Sequence, residues 1–122
     1  MSLAFVNGGS TIQYLVTLEF IEPGPLMTPQ QLAPVAEYQG VPTLEACIEL
    51  REQGKILGGG IVAGGRSYIF MADVPNNDEL DQMLQSIPAW LITKAVVVPL
   101  QTFENRLAQN KTFVDQMKHA QF

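Results

Sequence analysis

The stretch from Ile12 to Phe20 reads Ile-Gln-Tyr-Leu-Val-Thr-Leu-Glu-Phe, with no Gly or Pro in it. β-Branched and aromatic residues dominate, so the run predicts a strand. Side chains alternate across a strand, which places Tyr14, Val16, Leu18 and Phe20 on one face and Gln13, Leu15, Thr17 and Glu19 on the other. Both faces are largely apolar. An antiparallel sheet with one wet face would alternate apolar with polar residues. Any fold built on this strand must therefore cover the sheet twice.

The rest of the chain supplies partners for it. Thr28, Pro29 and Gln31 form a helix start, with a capping threonine and proline at the first helical position. Pro34 limits the regularity of that piece, and Gly40-Val41-Pro42 is expected to break it. A second helix is predicted from about Pro42 to Gln53, with Leu44, Cys47 and Ile48 facing inward, Glu45, Glu49 and Glu52 outward, and Gly54 ending it. Lys55 to Ala63 and Arg66 to Val74 read as paired strands joined by a two-residue Gly64-Gly65 turn. Asn76 caps the next helix, with Glu79 completing the box. Leu80, Met83, Leu84 and Ile87 give it one apolar face, and Pro88 stops it. Leu91 to Val98 predicts a last strand. Thr102 opens a final helix carrying Phe103, Leu107, Phe113 and Met117. Glu22-Pro23-Gly24-Pro25 reads as a turn-rich loop after the first strand.

The order is strand, helix, strand, strand, helix, strand, with an extra C-terminal helix. This is the α+β, ferredoxin-like βαββαβ arrangement. Its helices cover one face of the sheet, so a second subunit is expected on the other, giving a homodimer with sheets packed face to face. Residues 1–10 read as a lead-in and residues 11–122 as one domain, the size expected of a single core.

Composition narrows the function. Seven Lys and Arg stand against twelve Asp and Glu, a net charge of −5 with no basic run, which argues against nucleic acid. No apolar stretch approaches about 18 residues, so no bilayer span is expected, and the N-terminus lacks the pattern of a signal peptide. One cysteine, Cys47, and one histidine, His119, leave no internal disulfide and no zinc set. The cytoplasm and a metal-free, cofactor-free protein are the expectation. Cys47, on a helix stripe, reads as a buried, inert thiol.

Several segments resemble one family: Arg51-Glu52-Gln53-Gly54, Ala63-Gly64, Ile69 to Pro75, Asp78-Glu79-Leu80 through Met83-Leu84 to Ile87-Pro88, and Val96 to Phe103. Together, from about Ile12 to Phe103, they are similar to muconolactone isomerases of the dimeric α/β-barrel superfamily. The resemblance implies ferredoxin-like subunits, homo-oligomers, a role in aromatic degradation, and a double-bond shift in a small acidic lactone by proton transfer without metal or organic cofactor. It also implies Trp, Arg and His on the strand after the first long helix. Aligned on Ala63-Gly64, those positions hold Leu57, Gly58, Gly60 and Ile61, and Lys55 at the edge is the one cation left.

Proton transfer needs a placed base and a group that steadies the enolate-like charge. Glu19, late in a strand expected to be buried, is the candidate base; burial would raise its pKa toward neutrality. At the end of a strand it would instead be solvated beside Glu22. Tyr14 and Tyr68 are candidate donors, Tyr68 being placed with Glu19 in the catalytic set and Tyr14 among the substrate-binding residues. Strand parity puts Tyr14 and Glu19 on opposite faces. Arg66 and Lys94 could hold a carboxylate or pair with acids at the rim. Gly58-Gly59-Gly60 inside a strand marks a bulge or close approach, and Gly59 could leave room for a ligand. Trp90 reads as core or interface, and His119 as a solvated tail residue. Three functions are open: an isomerase-like enzyme on a small lactone or cyclic acid, a non-catalytic dimeric module that binds an apolar ligand or drives assembly, and a cofactor-free oxygenase of the same superfamily.

Overall fold

The computed structural model describes residues 10–21 and 28–120. The expected lead-in before Ser10 and the turn from Glu22 to Pro25 lie outside these residues. Four strands, β1 (Ile12–Phe20), β2 (Ile56–Ile61), β3 (Tyr68–Val74) and β4 (Thr93–Leu100), form one sheet in the order β2-β3-β1-β4. Every neighbouring pair is antiparallel. Helices α1 (Pro29–Val35), α2 (Val41–Glu52) and α3 (Asn77–Gln85) complete the ferredoxin-like order, and α4 (Phe103–His119) follows.

Local chemistry explains most boundaries. The Thr28 side chain accepts from the Gln31 amide while the Gln31 side chain accepts from the Thr28 amide, the expected capping box. Asn76 caps α3 through the Glu79 amide, and Thr102 caps α4 through the Asn105 amide.

Four expectations need correction. The segment does not break at Gly40: residues Ala36–Gly40 form a π-helical turn that links α1 to α2, and Gly40 keeps right-handed helical angles. The wider turn accommodates Pro42, which has no N–H to give. The inward face of α2 is also turned from the one expected. Leu44 and Ile48 are exposed, while Thr43 is fully buried and Cys47 and Leu50 pack on the core. The β2–β3 connection is longer than two residues. Val62 and Ser67 close it, and Gly64 takes φ +76° at the third position of the turn Val62–Gly65, where a positive φ is required. Finally, β4 starts at Thr93, because Pro88–Ile92 forms a 3₁₀ turn that uses Leu91 and Ile92.

Thr43 is what ties α2 to that turn. Its Oγ accepts from the Ala89 amide at 2.9 Å, both groups being buried. Thr43→Val would leave this amide without a partner and cost about 1–3 kcal/mol. Chemical denaturation checks this, with Thr43→Ser retaining the hydroxyl. Equal stability of the two variants would refute the role.

The core lies on the helix-covered face. Tyr14, Val16 and Leu18 of β1 meet Tyr68, Phe70, Ala72 and Val74 of β3 and Leu80, Met83, Leu84 and Ile87 of α3 and its exit. The other face holds Leu15, Ile69, Met71, Val96 and Val98, with Leu15, Val96 and Val98 about two-fifths exposed. Helix α4 is exposed along its whole length, Phe103 at 91%. The sequence's demand for cover on both faces is thus met on one.

Candidate functional site

The glycine run shapes β2. A register shift between Ile56 and Gly58 bulges the strand. Gly59 then takes φ +145°, and a Cβ there would fall 2.2 Å from the Ile69 carbonyl oxygen and 2.5 Å from the Phe70 Cα. Gly58 and Gly60 have no such neighbour within 4 Å. The three glycines therefore differ: Gly59 lets β2 approach β3, and its neighbours leave space open.

Between this strand and α2 lies a hollow of about 110 Å³, lined by Cys47, Ile48 and Arg51 from α2 and by Ile56, Gly59, Gly60, Ile69 and Phe70 from the sheet. Its lining is mainly apolar, with Arg51 as its one cationic residue. Cys47 and Arg51 fall four residues apart, on one face of the helix. Burial pushes the Cys47 thiol up, so it is a poor nucleophile near neutral pH. Burial also raises Tyr68, with a smaller push from the Cys47 thiol, and both groups stay protonated. Neither the described lining residues nor these two neighbours include a carboxylate or imidazole that could take a proton.

The sequence-predicted residues divide between the two faces. Glu19 and Lys94 stand directly opposite each other on the open face of β1 and β4. At this separation a cross-strand pair of opposite charge can interact. Glu19 is exposed in the single chain, so the burial expected of a base is not provided by this chain alone. Arg66 sits in the hairpin loop at the same end of the sheet. Tyr68 pairs in register with Leu18 and shares its buried face, which separates it from Glu19; the two cannot act on one atom from opposite sides of the sheet. Tyr14 is buried on that same face, and its hydroxyl donates to Asn77 Oδ1, a structural bond holding α3 to β1. Gly59 lines the hollow. Trp90 packs partly buried against the core, and His119 faces Asp115 at 3.4 Å on exposed α4.

Sequence reasoning missed Arg51 as a site residue. Its signal was available in the Cys47–Arg51 spacing, but the cavity appears only once β2 packs under α2. Among the described residues no group of three or more His, Cys, Asp or Glu is arranged to hold a metal ion. No described helix is long and apolar enough to cross a membrane.

No curated protein matches the chain. A family model does: that of muconolactone delta-isomerase, over residues 14–106. The match runs from the third residue of β1 into the first turn of α4, taking in the other three strands and the hollow, and leaves most of α4 outside it. The match covers most of the chain and the ferredoxin-like topology agrees with it: the chain belongs to the muconolactone delta-isomerase family.

Proposed function

We propose that this family member binds a small, mostly apolar lactone or cyclic acid in the hollow between α2 and β2, as a homodimer or a multiple of one. The observation that carries the reading is the hollow itself: a mainly apolar lining, one cationic residue in Arg51, and Gly60 at one of the positions where the resemblance implies basic and aromatic side chains. Apolar walls favour a hydrocarbon ring, and the guanidinium suits a carboxylate or lactone oxygen. Tyr68, a phenol whose pKa burial raises further, interacts with Cys47 of the lining and would be a hydrogen-bond donor beside it.

A binding assay tests this. Calorimetric titration with a series of five- and six-membered ring carboxylic acids and lactones should find saturable binding. Arg51→Ala should weaken it about tenfold to a hundredfold, the worth of one charge-assisted bond. Unchanged affinity in Arg51→Ala would remove the hollow from the account.

The second reading keeps the family's proton transfer. It is supported by Glu19 and Lys94 standing opposite one another on the open face. Sheet-to-sheet packing of two copies would take both out of water. Glu19 would then serve as base, with Lys94 and Arg66 drawing a substrate carboxylate to the same end of the sheet. The dimer is common to both readings and rests on the exposed apolar face of Leu15, Val96 and Val98. Sedimentation at micromolar concentration should give at least twice the 13.4 kDa chain mass, and a folded monomer would sink the dimer.

A further inference from the structure

We infer that α4 pairs antiparallel with the α4 of a second copy of this chain. Among the described residues the helix packs on no other helix or strand beyond the Gln101 side chain at its start, which bonds to Arg106 and Gln109, and every residue from Phe103 to His119 is exposed. A helix of 17 residues is close to the length at which isolated helices are marginal in water, so this one needs a packing partner. Most of it lies beyond the family match.

The spacing of α4 identifies the kind of partner. Phe103, Leu107, Asn110, Val114 and Met117 follow one another at intervals of four, three, four and three residues. This repeat draws a single seam along a helix and fits a second helix of the same repeat. The one polar residue in the seam, Asn110, lies near its middle, where it would meet the same stretch of a second copy. Apolar seams with one central Asn set register and limit the choice of partner. A self-complementary patch is what a twofold contact requires.

Charge sets the direction. Glu104 lies in the first turn, and Lys118 and His119 in the last. Antiparallel pairing brings Glu104 beside Lys118 of the second copy at both ends of the seam, and opposes the helix dipoles. Parallel pairing would bring Arg106 beside Lys111 of the second copy along both flanks of the seam, whereas the antiparallel register sets two opposite pairs against a single like pair, Lys111 beside Lys111 of the second copy.

A standard interface takes roughly 800 Å² from each partner. A seam about 25 Å long is too narrow to supply that alone. The helix pair therefore rests on the sheet-to-sheet dimer proposed above and joins such dimers into a larger assembly.

Disulfide trapping in the full chain tests the pairing. In a Cys47→Ala background, the double variant Glu104→Cys/Lys118→Cys should form a linked dimer on mild oxidation. Either single variant should not, because like positions would lie about 20 Å apart. Linking by a single variant would mean a parallel pair and overturn the proposal. No linking in any variant, with Leu107→Glu/Val114→Glu still lowering the mass, would place α4 on another surface of the second copy and overturn it too. In sedimentation, Leu107→Glu/Val114→Glu is expected to reduce the assembly to the sheet dimer. A dimer already present before that substitution, with no cross-link, sinks the helix pair alone. A monomeric parent chain sinks the sheet dimer together with it.

Discussion

Gly59→Ala is expected to destabilise the fold by about 3 kcal/mol or more, while alanine at Gly58 or Gly60 stays within about 1 kcal/mol of the parent. Three consecutive glycines of one strand should thus behave differently. At Gly59 the backbone stands at φ +145°, where a side chain is strained, and the new Cβ would overlap the Ile69 carbonyl oxygen and the Phe70 backbone. The obstacle is a neighbouring strand, not the far end of a flexible side chain, so relief requires β2 to move away from β3. That movement would also open the wall of the hollow. Gly58 and Gly60 meet nothing within 4 Å, and alanine there reduces the freedom of the unfolded chain. For a domain of this size each kcal/mol moves the melting temperature by about 4 °C, so Gly59→Ala should melt roughly 12 °C lower. If it melts with its two neighbours, the close approach is not what holds this glycine in place.

The largest functional effect expected is a loss. On muconolactone itself, kcat/KM should fall about two to four powers of ten below that of a family member with basic side chains on the strand equivalent to β2. A charge-assisted hydrogen bond to an anionic substrate is worth roughly 1.5–3 kcal/mol, and two such positions hold Leu57 and Ile61 in this chain. Losing both contacts costs a few kcal/mol, and each 1.4 kcal/mol is a factor of ten. Arg51, as proposed, would restore part of the anion binding but supplies no base. Turnover of the purified protein on that lactone, followed by loss of the substrate's ultraviolet absorbance, checks the prediction directly. Efficient turnover would overturn it. Glu19→Gln and Arg51→Ala would then separate a base on the open face from an anchor in the hollow: the first would lower kcat, the second would chiefly raise KM.

How much of this was legible in the residues depends on the range of the forces involved. The caps at Thr28, Asn76 and Thr102 were readable, because each is a hydrogen bond spanning three residues and needs no tertiary context. So was the apolar face of α3, whose spacing matches one side of a helix. The strand order followed from the alternation of elements, since crossover helices leave few ways to arrange four strands. The incompletely covered sheet was legible as well: the period-two pattern of β1 put Leu15 and Thr17 opposite Tyr14 and Val16, and that assignment stands.

The sequence determined the element order and the strand parity, because propensity, capping and periodicity act within a few residues. Tertiary structure alone decided which side of α2 faces inward. Leu44 and Ile48 are more apolar than Thr43, yet Thr43 is buried because its hydroxyl meets the Ala89 amide, 46 residues away. Gly40 and Pro42 continue the helix instead of ending it, because a π-turn absorbs the missing donor within a run whose α2 end packs on the core. The candidate site was settled at the same level. Arg51 becomes a site residue only where α2 crosses the bulged strand, and Glu19 parts from Tyr68 because the β1–β3 register sets Tyr68 beside Leu18, one residue from Glu19 and hence on the opposite face.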